Sequence, residues 1–271
     1  MVHGPHPLRQ LLLIFSLPLL LIAITIGGAL TALALELTAT ELWAASRDAE
    51  TLFALRLSLQ SSLLALLLAL LLGVPTGYLL SRSDFPGRTL LETLLDLPML
   101  TPPLVAGTGL LFLLGQGTLL GHGLSQLGLE LLFSPAGIVL AQTYVATSII
   151  VRSARAAFDR VDPAYAQTAW TLGLAPHWAF LLVEIPMALP GLAAATILGW
   201  ARALGEFGAT LMLAGATRLH TETLPMAIYL NIATGETERA VTCALMLLLL
   251  AFSLLILMRL LARLNPAPVT P

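Results

Sequence analysis

Apolar residues in this chain come in long unbroken runs, not in the alternation of a half-buried strand or the stripe of a surface helix. The first run extends from Leu11 to about Leu35, with Pro18, Gly27 and Gly28 inside it. Further runs cover about 57–80, 94–114, 135–151, 188–213 and 240–261. Segments of roughly 20 apolar residues match the hydrocarbon thickness of a bilayer, because a helix of that length spans it with every backbone group paired internally. The pattern therefore predicts an all-α integral membrane protein with about six transmembrane helices, forming one domain over residues 1–271. The first run is longer than the 7–15-residue core of a signal peptide, so it reads as an uncleaved span despite the small residues near Ala34.

Prolines and glycines punctuate these spans. Gly73 and Pro75 predict a kink in the second, and Pro98, Pro102 and Pro103 a break in the third. Broken helices at membrane depth line protein interior or a cavity, where freed backbone groups find partners. Gly191, Ala195, Gly199 and Ala203 form a row at four-residue spacing in the fifth span, the signature of close helix packing.

The long polar segment 152–187 between spans four and five carries its own signals. Asp162 before Pro163 is a helix start: a cap carboxylate accepts an orphan amide, and proline suits the first helical position. Gly173 closes that helix, and Pro176 opens a second one reaching toward Pro186, so two short helices should meet at a sharp corner. Tyr165, Ala169 and Leu172 share one face of the first helix and Ala166 and Trp170 a neighbouring one. That apolar exposure calls for a protein partner, for burial in the membrane surface, or for packing on the chain's own spans.

Charge changes the picture by setting topology. With the N-terminus in the cytoplasm, Arg9, Arg82, Arg88, Arg152, Arg155, Arg160, Arg259 and Arg263 lie inside, against Arg47, Arg56, Arg218 and Arg239 outside. The excess of inside arginines supports that orientation and puts both termini and the 152–187 loop in the cytoplasm. Arg202 is left, deep within the fifth span. It stands four residues before Glu206, one turn apart on one face, and Thr210 extends the stripe. Charges at such depth cost about 2.5–3.5 kcal/mol each on insertion scales, so this pair should face a cavity, bridge neighbouring helices, or do both.

Composition excludes several functions. Of the 271 residues 58% are hydrophobic and 10% charged, with a net charge of −2, so no basic surface offers itself to nucleic acid. All thirteen basic residues are arginine. Without lysine there is no phosphate-gripping Walker A loop, so ATP and Mg, if used, are bound by another subunit and this chain carries no cofactor. Cys243 is the single cysteine and the five histidines are scattered, which leaves no disulfide and no metal cluster. No span carries a paired-aspartate metal cluster, a zinc-protease pair or a serine elbow. A membrane-embedded enzyme and an ATP-independent transporter remain the alternatives of another class.

Gln167-Thr168-Ala169, then Gly173, then Val183-Glu184-Ile185-Pro186 resembles the cytoplasmic signature loop of ABC-importer permeases, with the glycine and proline at the required spacing. Gln167 stands where glutamate is usual, and Thr168 where the first alanine is. The resemblance implies that this corner, with Asp162, Pro163, Gln167, Ala169, Gly173, Val183, Ile185 and Pro186, docks on a separate ATPase subunit. The run from Gly205 to Thr210, with Leu224-Pro225 and Ile228-Tyr229, looks like the molybdate-type permeases, to which sulfate and thiosulfate permeases are related. This implies a homodimer in a prokaryotic inner membrane with two ATPase subunits and a periplasmic or lipid-anchored oxyanion-binding protein. Molybdate or tungstate would be the cargo, and sulfate or thiosulfate the alternative. Arg202, Glu206 and Thr210 would then line the translocation pathway.

Overall fold

The computed structural model describes residues 7–36 and 38–264, with side chains over 15–36 and 38–260. Arg9, Arg263, His3 and His6 therefore lie outside the described side chains. Among the described residues all regular structure is helical. Five helices are long and apolar enough to cross a bilayer, and a sixth span is a bent pair.

Helix α1 (Pro7–Leu35) is the first span; between Phe15 and Leu35 none of its residues is buried. The polar stretch after it contains a short surface helix, α2 (Ala39–Ser46), started by a reciprocal capping box. The Thr38 amide donates to Glu41 at 2.8 Å while the Glu41 amide donates to the Thr38 hydroxyl at 3.4 Å. The second span, α3 (Ala49–Arg82), starts earlier than the apolar run suggested, because Asp48 caps it and Thr51 and Ala54 are buried against neighbours. Its 34 residues make a rod about 51 Å long, with Pro75 inside.

The third span is broken more sharply than a kink. α4 (Arg88–Leu100) and α5 (Pro103–Leu114) meet at 114°. Pro102 and Pro103 supply no N–H to carry the helical ladder across, and Pro102 drives Thr101 into extended backbone (ψ 139°). A short helix, α6 (Leu119–Gln126), sits in the glycine-rich connection between the runs 94–114 and 135–151.

The fourth span, α7 (Pro135–Asp159), runs eight residues beyond the expected end at Val151. Ala154, Ala157 and Phe158 are buried, so the last two turns stay on the core. α7 is the central post. α3 lies against it so closely that a Cβ on Gly77 would stand 2.8 Å from the Val151 carbonyl oxygen and 2.9 Å from the Arg155 amide. The predicted small-residue row packs on α7 too: a Cβ on Gly199 would meet Ile150 at 2.7 Å, and Ala195 and Ala203 are fully buried.

α8 (Pro163–Thr171) follows, and then α9 (Pro176–Ala179), a π-helical turn (Phe180–Glu184) and α10 (Ile185–Leu204) form one continuous rod. The second short helix is thus the front of span five and not a separate element. Pro186 cannot donate and its ring crowds the carbonyl a turn earlier; the widened turn absorbs both, and the Ile185 amide bonds to Phe180. Span five does not continue to residue 213 as one helix: it stops at Leu204 and resumes as α11 (Gly208–Ala214). α12 (Leu224–Thr234) lies between the apolar runs 188–213 and 240–261, and α13 (Thr237–Leu264) is the last span. Serines in α3 join these helices within the apolar interior: Ser58 accepts the Leu224 amide at 2.7 Å, and Ser62 accepts the Trp200 indole N–H at 3.0 Å.

Polar contacts divide the molecule into two ends. At one end the connections between spans two and three and between four and five meet, through Arg155–Glu92 (2.9 Å) and Arg82–Glu184 (2.8 Å). At the other, Asp48 and Glu50 at the start of span two meet Arg218, Glu236 and Arg239 around α12. This is the alternation that six spans require.

Candidate functional site

The corner at the 152–187 end is built as the sequence suggested. Asp162 accepts the Ala164 amide at 2.9 Å and Pro163 fills the first helical position. At the far end Gly173 takes φ +92°, a left-handed conformation that side chains other than glycine's strain to adopt. The Leu174 amide then reaches back to the Ala169 carbonyl at 3.0 Å and the Gly173 amide to Trp170 at 2.9 Å, closing the helix. Ala166 is the buried residue of α8 and Ala169 is half-buried. Tyr165, Trp170, Leu172 and Trp178 are left as an exposed apolar lip, Leu172 at 82%.

The remaining signature positions divide. Ile185 packs on the core formed by Phe158, Val161 and Leu192; Val183 is half-buried; Pro186 is exposed. Pro163 and Gln167 line a cleft of about 210 Å³ beneath α8, facing Tyr78, Ser81, Arg82 and Glu184. Sequence reasoning missed what stands across that cleft. Glu184 is 1% exposed; the Tyr78 hydroxyl donates to it at 2.6 Å and Arg82 Nε at 2.8 Å. A lone carboxylate within Leu181–Ile185 was the available signal, since a buried charge demands a partner. Arg82 had counted only as a topology charge.

A second constellation lies where spans three and five are both broken. The breaks touch: a Cβ on Gly208 would stand 2.8 Å from Pro103, and one on Gly107 2.6 Å from the Ala209 Cα. Arg202 Nη1 lies 2.5 Å from Glu206 Oε2, an ion pair at an angle outside that of a hydrogen bond. The other Glu206 oxygen accepts the Ala209 amide at 2.9 Å, which ties the start of α11 to the break. Glu206 and Thr210 are buried, and Arg202 is one-third exposed. The continuous stripe Arg202–Glu206–Thr210 is therefore not formed. Arg202 and Glu206 straddle the break, and Thr210 sits inside α11, where its hydroxyl has no hydrogen-bond partner among the described residues.

At the opposite end Glu236 accepts from Arg218 (2.6 Å) and Arg239 (2.7 Å), and Arg239 also reaches Glu50 (3.1 Å). The Arg218 hydrogen bond holds the Glu236 carboxyl below the usual carboxylate range. Burial pushes Glu222 above that range, against the hydrogen bond it accepts from the Leu219 amide. Among the described residues no group of three or more histidine, cysteine or carboxylate side chains could hold a metal.

Broken spans in the middle and a capped, aromatic-lipped corner at one end define a class of multi-pass transport subunits. Residues 66–264 match the family described as binding-protein-dependent transport system inner membrane component, and the chain belongs to that family. It is 36% identical over 248 residues to the molybdenum transport system permease protein ModB of Mycobacterium tuberculosis, covering 91% of this chain and 93% of that protein. It is 39% identical over 206 residues to the protein of the same name in Escherichia coli, covering 75% and 90%. A bacterial ABC transporter involved in the import of the acidic polysaccharide alginate shares the fold, with TM-score 0.77 at 15% identity over 95% of this chain and 96% of that one. The MetNI methionine ABC transporter in an inward-facing conformation gives 0.62 at 15% identity over 84% and 100%.

Proposed function

We propose that this chain is the permease subunit of an ATP-driven importer of molybdate, with tungstate, of like charge and shape, as a second cargo. The observation that carries the transport mechanism is the corner at 162–186, an apolar lip on a rigidly capped helix that is tied by a buried ion pair to spans two and five. The cargo rests on the relatives, which are molybdenum permeases by name at 36–39% identity. Two ATPase subunits take the lips of two copies of this chain, bind ATP and Mg themselves, and leave this subunit without catalytic or cofactor residues. A binding protein delivers the oxyanion at the opposite end. The corner and both termini then lie in the cytoplasm, in keeping with the excess of arginines there.

In the alternating-access cycle, closure of the motors draws the two corners together and opens the path toward the binding protein; hydrolysis reverses it. The touching breaks of spans three and five are the places where such a path can widen without breaking a helical ladder. Arg202 attracts an anion toward the break, and Glu206 keeps the field weak enough for the ion to leave. The test is uptake by cells deprived of their own molybdate importer and supplied with this chain and its partners. Elemental analysis should find restored cellular molybdenum that excess sulfate does not suppress. Sulfate accumulation without molybdenum would instead make the chain a sulfate or thiosulfate permease.

A further inference from the structure

Glu184 stands between the docking residues Val183 and Ile185, and it is the tightly held side chain of the corner. Its carboxylate accepts from the Tyr78 hydroxyl at 2.6 Å and from Arg82 Nε at 2.8 Å, while Arg82 Nη2 donates to the Val161 carbonyl at 2.8 Å. Tyr78 and Arg82 lie one turn apart at the end of α3. Val161 directly precedes the Asp162 cap of α8. Glu184 ends the π turn that leads into α10. Three elements are thus joined at one point, and the Tyr78 ring seals it against Phe158 and Phe180, with centroids 5.1 and 4.5 Å away.

The other ion pairs at this end among the described residues, Arg88–Asp84, Arg88–Glu92, Arg155–Glu92 and Arg155–Asp159, keep a quarter or more of at least one side chain exposed and add little stability. Glu184 is different, at 1% exposure. A buried ion pair is a poor device for stability, since apolar side chains of the same volume do as well or better; what it adds is a directed, fixed geometry. The π turn at Phe180–Glu184 is where fixed geometry is needed, because its ladder is irregular and Pro186 contributes no donor. Force applied at α8 would otherwise be spent in bending that turn.

We propose that Tyr78, Arg82 and Glu184 are positioning residues that make the docking corner, the inner end of span two and the start of span five move as one body, so that motor closure becomes movement of the spans. α3 carries that movement on: Glu50, about 48 Å along the same helix from Arg82, pairs with Arg218 and Arg239 at the opposite end. The inference rests on the docking reading above.

The test reconstitutes the complex with its motors and binding protein in vesicles and measures molybdate transported per ATP hydrolysed. Glu184→Gln and Arg82→Lys should assemble and hydrolyse ATP but lose about tenfold in that ratio, with Tyr78→Phe losing less. The double variant Arg82→Met/Glu184→Leu separates positioning from simple stability. It should match the wild-type complex in melting temperature and still be uncoupled. The idea is overturned if the double variant keeps the wild-type ratio. It is overturned equally if Arg82→Lys and Tyr78→Phe both keep that ratio within about twofold when Glu184→Gln fails to assemble. Failure of the wild-type chain to retain any motor subunit would overturn the docking reading and this inference together; normal docking with coupled variants would overturn this inference alone.

Discussion

Glu206 and Glu222, buried like Glu184, are held in different ways, and substitution should separate them. Glu206 is held by Arg202 at 2.5 Å and by the Ala209 amide, so removing the cation strands a buried charge. Because Arg202 is one-third exposed, the cost is discounted to about 1–3 kcal/mol, below the full buried-pair range. Arg202→Met should therefore lower the melting temperature of the purified complex, and Arg202→Met/Glu206→Gln should recover most of the loss. If uptake stays impaired in the recovered double variant, the pair acts in the pathway as well as in packing. Among the described residues Glu222 has no such cation within bonding distance, and burial raises its carboxyl above the ordinary range. A raised acid favours the protonated form in the folded state, so its contribution is fully present below the unfolded value and is lost as pH rises through the folded one. Glu222→Gln should accordingly raise the melting temperature at neutral and mildly alkaline pH, with the gain shrinking in mild acid. A gain independent of pH would show that the ionised carboxylate is not the source.

At the scale of elements, the packing of α3 on α7 depends on the absence of side chains. A Cβ at Gly77 would press on the Val151 carbonyl and the Arg155 amide, and backbone cannot move aside as a flexible side chain can. Gly77→Val should cost about 1–3 kcal/mol and, by tilting Tyr78 and Arg82 away from Glu184, reduce uptake more than assembly. Thermal stability and uptake measured on the same preparation check this; an unchanged melting temperature would mean that the two helices slide apart freely. The capping signals at Asp162, Pro163 and Gly173 were legible because caps and left-handed glycines act over a few residues. The π turn was not, because it arises from the need to satisfy Pro186 within a rod whose far end is already fixed on the core. The break after Leu204 was hidden for a related reason: Gly205, Glu206 and Phe207 are individually compatible with a helix, and only the crowding of Pro103 against Gly208 shows the break as part of a packed joint.

For the whole molecule, the two polar ends fix which loops share a side of the membrane, and the proposed orientation says which side. In a Cys243→Ala background, where the buried native thiol is removed, Leu172→Cys and Leu219→Cys place single labels on exposed residues at opposite ends. With the chain expressed without its motors, an impermeant maleimide should reach Leu172→Cys only in inside-out vesicles and Leu219→Cys only in intact spheroplasts. The reverse pattern would put the docking corner outside the cell and end the importer assignment.

What the sequence determined by itself follows from forces that act locally or through the solvent. Apolar run length against bilayer thickness set the helical class and about six spans, arginine bias set an expected topology, and cap and turn chemistry placed the corner. The tertiary structure decided whatever required partners distant along the chain: the meeting of Tyr78, Arg82 and Glu184, the contact between the breaks at Pro103 and Gly208, and the pairing of Glu50 with Arg218 and Arg239. A buried charge announces that it needs a partner, but separations of about 100 residues leave the choice open until the helices pack, because in hydrocarbon the energy of each pairing depends on which groups are brought within reach.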